Sequence, residues 1–194
     1  MSRLTRVVLV RHGETVGESS IRFHGATDVD LSELGCDQAL AARHQIPGEG
    51  FDLVVASSLT RAWRTATLLV PGRQVRLEAD FREIDFGRWE GLTREEIAAV
   101  DPILYEDWQS KREGFEFPEG EHRGDFLQRV HRGLDRILSS DAESVIVVAH
   151  KGVVRGIVQA LSGIEMPPLE PALGGVVQVF RRSDGQWHLG RRPS

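Results

Sequence analysis

Four apolar residues stand side by side at positions 7–10, and the two that follow, Arg11 and His12, are a permanent cation and an imidazole. An apolar run without alternation reads as a strand buried on both faces, as in a parallel sheet. Similar runs recur at 53–56 and 145–149, and they end in Ser57 and Ser58 and in His150. Helical patterns lie between them. Ser32 is placed to cap a helix through Leu34, Ala39, Leu40 and Ala42 to about Gln45, with Pro47 and Gly48 ending it. Residues 59–70 read as a helix carrying Arg61 and Arg64, stopped by Pro71 and Gly72, and 75–77 as a short strand. Residues 82–91 are expected in an extended loop, and Thr93 with Glu96 forms a capping-box pattern for the helix that follows. Phe126, Val130, Leu134 and Ile137 recur at helical spacing, which predicts an amphipathic helix over 121–139. Gly152 opens a helix to Leu161, and 176–180 with 187–189 predicts a closing hairpin that turns at 183–185.

Alternation of this kind implies an α/β fold, a doubly wound and mostly parallel sheet with helices on both faces, whose ligands bind beyond the carboxyl ends of the strands. Three strands then deliver Arg11 and His12, Ser57 with Arg61 one helical turn on, and His150 to one edge. Gly13 permits a tight turn there and a close backbone approach to a ligand. Two imidazoles and two guanidiniums repel one another unless an anion joins them, and phosphate fits best. Guanidinium forks match phosphoryl oxygens, and a positioned imidazole can attack phosphorus.

Composition narrows the partners. The 194 residues are 40% hydrophobic and 27% charged, enough for one core, so a single domain over 1–194 is expected. A net charge of -5 argues against a nucleic-acid or anionic-membrane surface. The first apolar run is too short for a signal or a span. A single cysteine, Cys36, has no internal partner, which suits a reduced, cytoplasmic setting, and it reads as an ordinary helix residue. Tyr105, Trp108, Phe115 and Phe117 gather in 101–120, either as a helix and loop covering a site or as a subsidiary core.

Four blocks in this order, R-H-G-E-T from Arg11, S-S-L-T-R-A from Ser57, R-E-I-D-F-G-R-W-E-G from Arg82 and V-A-H-K-G from Val148, resemble the histidine phosphatase superfamily, also called phosphoglycerate mutase-like. The resemblance implies that His12 takes the phosphoryl group and that Arg11, Arg61 and His150 surround its oxygens. Glu83 would protonate the leaving oxygen and later deprotonate the attacking water. No metal and no cofactor is then required. Ser57 is expected to donate near the site, with helix capping by Ser58 as the competing use of this pair, and Glu14 to orient His12 or a neighbouring loop. Where members often carry Trp-Asn, this chain has Gly17 and Glu18, which puts the Asn contact to phosphate in doubt and makes Ser19 or Ser20 the candidates to replace it. His150 is commonly followed by Gly-Gly; here Lys151 either points into the pocket as a substrate contact or, the reading favoured, outward.

The stretch from Arg22 to Asp28 is similar to the α-ribazole phosphatase-like and broad-specificity branches. Mutases carry Arg-His-Tyr where this chain has Ile84, Asp85 and Phe86, and a longer insertion follows. A phosphomonoesterase acting on a small phosphorylated metabolite is therefore expected. The alternatives are a cofactor-dependent phosphoglycerate mutase and a non-catalytic phosphate-binding module. A metal site built from His12, His150 and Glu83 is opposed by Arg11 and Arg61. Arg22, Phe23, His24, Phe86 and Trp89 are candidates for the wall that selects the leaving group, each aromatic competing with core packing. The assembly state is left open, a homodimer being one option.

Overall fold

The three unalternating runs become the centre of the sheet because each can bury both faces. The computed structural model describes residues 2–46 and 50–190. Within them β1 (Arg6–Arg11), β2 (Leu53–Ser57), β3 (Arg76–Glu78), β4 (Ser144–Ala149), β5 (Val176–Arg181) and β6 (Trp187–Leu189) form one sheet in the order β3-β2-β4-β1-β5-β6. The first four strands in that order are parallel, whereas β5 runs antiparallel to β1 and to β6, as the expected hairpin requires.

Successive β1 side chains point to opposite sides. Val7 and Leu9 pack with Phe126, Val130, Leu134 and Ile137 of α5 (Arg123–Leu138) and with Val153 and Ile157 of α6 (Lys151–Ser162). Val8 and Val10 meet Ala42 of α1 (Glu33–Arg43) and Ala66 and Leu69 of α2 (Thr60–Leu69). Helices therefore cover both faces. Burial of each large apolar side chain contributes about 1.5–3 kcal/mol.

Local signals hold at most boundaries. Ser32 caps α1 by accepting from Gly35 N, and the Thr93–Glu96 capping box opens α3 (Arg94–Val100). The helix stop assigned to Pro47 and Gly48 lies outside the described residues. Ser58 does not cap α2. Its N-cap is Leu59, without a side-chain cap, and the first amide is met from a distant loop, Thr60 N donating to Asp28 at 2.7 Å. The stretch 82–91 is not wholly extended, since Gly87–Trp89 forms a 3-10 turn. After α4 (Pro102–Gln109), the aromatics of 101–120 pack a subsidiary core around Trp89, Ile97 and Phe115. Cys36 sits in α1. Among the described residues no helix is long and apolar enough to cross a membrane.

Candidate active site

Parallel pairing of β1 with β4, in which Arg11 lies opposite Ala149, puts His12 and His150 side by side just past the strand ends. Their ring centroids are 5.1 Å apart. His12 Nδ1 lies 2.7 Å from Gly13 O, and a carbonyl only accepts, so Nδ1 carries the proton and Nε2 keeps its lone pair. The backbone here has no room for a side chain at 13: a Cβ would sit 2.2 Å from Gly35 O. The close approach expected at Gly13 is therefore to α1 rather than to a ligand.

His150 Nε2 is 2.8 Å from Ser57 Oγ, which joins the ends of β4 and β2. Burial first, then the Arg61 guanidinium, holds the pKa of both imidazoles well below the ordinary histidine value. Arg61 is fully buried. Its Nη atoms donate only to main-chain carbonyls, those of Thr27, His24 and Gly25, at 2.7, 3.0 and 2.7 Å. Arg11 Nη1 likewise donates to Pro171 O at 3.0 Å. Burial lowers both guanidinium pKa values, though arginine stays charged. Three buried nitrogens around His12 have no hydrogen-bond partner, Arg11 Nε, Arg61 Nε and His150 Nδ1, and the last is a donor when the Ser57 hydroxyl gives its proton to His150 Nε2. An oxyanion would satisfy them, and leaving such donors unpaired is unfavourable.

Glu83 faces this group from the loop after β3. Its carboxylate accepts from Ile84 N at 3.1 Å and from Gly152 N, in the first turn of α6, at 3.0 Å. Arg129 on α5 fixes that loop by donating to the carbonyls of Asp80, Arg82 and Glu83 while pairing with both oxygens of Glu121. Glu90 was missed by sequence reasoning although it lies within the third block. Its carboxylate gathers Phe86 N, Gly25 N, Ala26 N and both donors of Thr27, and so shapes the loop on which Arg61 docks. Only a donor count across 65 residues of separation reveals such a role.

A cavity of about 530 Å³ opens over Arg11, His12 and Glu83. Phe23, Phe86 and His24 line it, as does Trp108, whereas Trp89 is fully buried and belongs to the core. Arg22 also borders it, but its Nη1 is committed to Gly91 O and Glu96 at 2.7 and 2.8 Å, which ties the loop to α3. His24 Nε2 contacts Gly17 O at 2.5 Å. Glu14 is off the cavity wall. It accepts from Thr15 N, Ser19 Oγ and Ser20 N, which makes it a loop organiser, while Ser19 and Ser20 reach the cavity. Lys151, favoured as outward-facing, lines the cavity instead, because the turn from β4 into α6 rotates its first residue toward the site.

The buried neutral histidines have a consequence for stability. Unfolded, they protonate near the ordinary value of 6.5, so below that pH the unfolded chain binds more protons than the folded one and stability falls. The urea midpoint is expected to drop from about pH 7 to about pH 5, above the range in which ordinary carboxylates titrate, and His150→Gln to flatten the drop. A level midpoint in the unaltered protein would contradict neutral burial.

Comparison with known proteins gives the family. The histidine phosphatase superfamily (branch 1) matches residues 7–191. A bifunctional protein of Mycobacterium tuberculosis is 37% identical over 168 residues, 82% of this chain but 46% of the relative, so the chain spans about half of that protein. Glucosyl-3-phosphoglycerate phosphatase of the same organism is 33% identical over 97% of this chain and 89% of its own length. The solved structure of α-ribazole phosphatase from Shigella flexneri superposes with a TM-score of 0.82 at 27% identity, covering 97% of this chain and 96% of that one. With its motif residues gathered at one sheet edge and its family matched over nearly the whole length, this chain belongs to the histidine phosphatase superfamily.

Proposed function

We propose that the protein is a metal-independent phosphomonoesterase that passes the phosphoryl group of a small metabolite through His12. The observation that carries this reading is the group of three unpaired buried nitrogens, Arg11 Nε, Arg61 Nε and His150 Nδ1, around an imidazole whose Nε2 is deprotonated. In the first half-reaction Nε2 forms a bond to phosphorus while the bond to the leaving oxygen breaks, and Glu83 gives that oxygen its proton. In the second, Glu83 takes a proton from water, the water oxygen bonds to phosphorus, the N–P bond breaks and phosphate leaves. The guanidiniums and His150 offer fixed donors to the equatorial oxygens, where charge spreads during transfer.

Ile84 and Phe86 on the cavity wall favour hydrolysis over mutase chemistry, since neither side chain can hydrogen-bond a phosphoglycerate hydroxyl. The phosphatase names of two of the relatives, glucosyl-3-phosphoglycerate phosphatase and α-ribazole phosphatase, support the same choice. Arg11 and Arg61 repel a divalent cation, and among the described residues no three His, Cys, Asp or Glu side chains are grouped to hold one. A panel of phosphomonoesters is expected to be turned over at the same rate with and without a chelator. Activity that disappears on chelation and returns with a divalent cation would overturn the mechanism, and binding of phosphate without turnover of any ester would leave a binding module.

A further inference from the structure

The cavity mouth carries more positive charge than phosphoryl transfer uses. Lys151 and Arg155 stand four residues apart on α6 and both line the cavity, an arrangement in which like charges repel. Arg94 reaches the same cavity from α3, its guanidinium 5.7 Å from the Trp108 ring. Among the described residues neither the Lys151 nor the Arg94 side chain has a hydrogen-bond or ion-pair partner. Arg155 donates to Pro167 O, and its closest carboxylate, the exposed Glu165, is 4.0 Å away. Glu83 is the one carboxylate on the cavity wall among the described residues, and it is held by two backbone amides. Burial, followed by the charges of Arg11, Arg155 and Arg94, pulls the Lys151 pKa below its usual value. The chain as a whole is acidic, with a net charge of -5, so this concentration of cations is not a general basic surface.

We infer that Lys151, with Arg94 and Arg155, forms a second anion subsite selecting phosphate esters whose leaving group bears another anionic group, either a carboxylate or a second phosphoryl. Phe23, Phe86 and Trp108 line the same cavity and would take the apolar body joining the two anions. The inference rests on the phosphatase reading for the first anion, and it adds the chemistry of the group that leaves. Lys151 occupies a position where the resemblance leads one to expect glycine, so the subsite belongs to this chain rather than to the shared motif.

Non-hydrolysable phosphonates separate the two readings. Binding of 4-carboxybenzylphosphonate and of p-xylylenediphosphonate is measured by calorimetry against 4-carbamoylbenzylphosphonate, which matches the first in size without the charge. At least one anionic ligand is expected to bind about tenfold tighter than the carbamoyl control, and the tighter of the two identifies the preferred group. Lys151→Met and, separately, Arg94→Met are expected to shrink that ratio toward one, each variant being checked for an unaltered thermal midpoint. A ratio within twofold in the unaltered protein, or one that survives both substitutions, overturns the subsite. Turnover of phenyl phosphate is followed in parallel. If it is absent while the ratio holds, the phosphatase reading fails and the second subsite stands.

Discussion

Replacing His12 by alanine is expected to lower kcat/KM on any phosphomonoester by at least about 10⁴-fold, the scale seen when a covalent nucleophile is removed. The same variant should lose the acid-labile phosphoryl label that the unaltered protein acquires when quenched during turnover. Both results follow from one feature. His12 Nδ1 is occupied by Gly13 O, so Nε2 is the nitrogen left to bond phosphorus, and burial, reinforced by the Arg61 and Arg11 guanidiniums, keeps it unprotonated. Alanine leaves Arg11, Arg61 and His150 in place, and orthophosphate is expected still to bind, which separates loss of chemistry from loss of the socket. Activity above a tenth of the original, or a label that persists in the variant, would remove His12 from the reaction.

Glu83→Gln gives the second large effect and a more specific signature. Without a proton to donate, turnover of alkyl phosphates is expected to fall by about 10²–10⁴-fold. A 4-nitrophenyl ester needs no such proton, because its leaving oxygen is stable as an anion, so the first half-reaction survives. The second does not, since the attacking water has lost its base. The variant is therefore expected to release a burst of nitrophenolate close to the enzyme concentration, then turn over slowly as the phosphohistidine persists. The amide keeps the volume of the carboxylate but has one acceptor oxygen for two backbone amides, those of Ile84 and Gly152. An equal loss on both esters, with no burst, would mean that Glu83 only positions the start of α6.

The parts of this protein that were readable in advance are those in which local physics and tertiary structure agree. Runs at 7–10, 53–56 and 145–149 lack alternation because both faces of those strands are covered, and that feature survives in the sequence as plain hydrophobicity. The Thr93–Glu96 capping box needs only four residues to declare itself. Other features depend on where distant segments meet. Arg22 has the form of a substrate contact, but Glu96 claims its guanidinium from 74 residues away. Trp89 has the form of a wall, but α3, α4 and the loop beyond enclose it. The direction of Lys151 is set by the rotation of α6 as it leaves β4, which no periodicity encodes. Glu90 resembles any surface carboxylate until the loop 24–27 folds over it.

The carbonyl cradle around Arg61 has a kinetic consequence. Dipoles solvate the guanidinium without cancelling its charge, as a carboxylate would, so the field reaching His12 stays strong. That field cannot tell an ester from the orthophosphate left after hydrolysis, because the two present the same oxygens. Orthophosphate is therefore expected to compete for the seat it has just vacated, and turnover to slow as it accumulates.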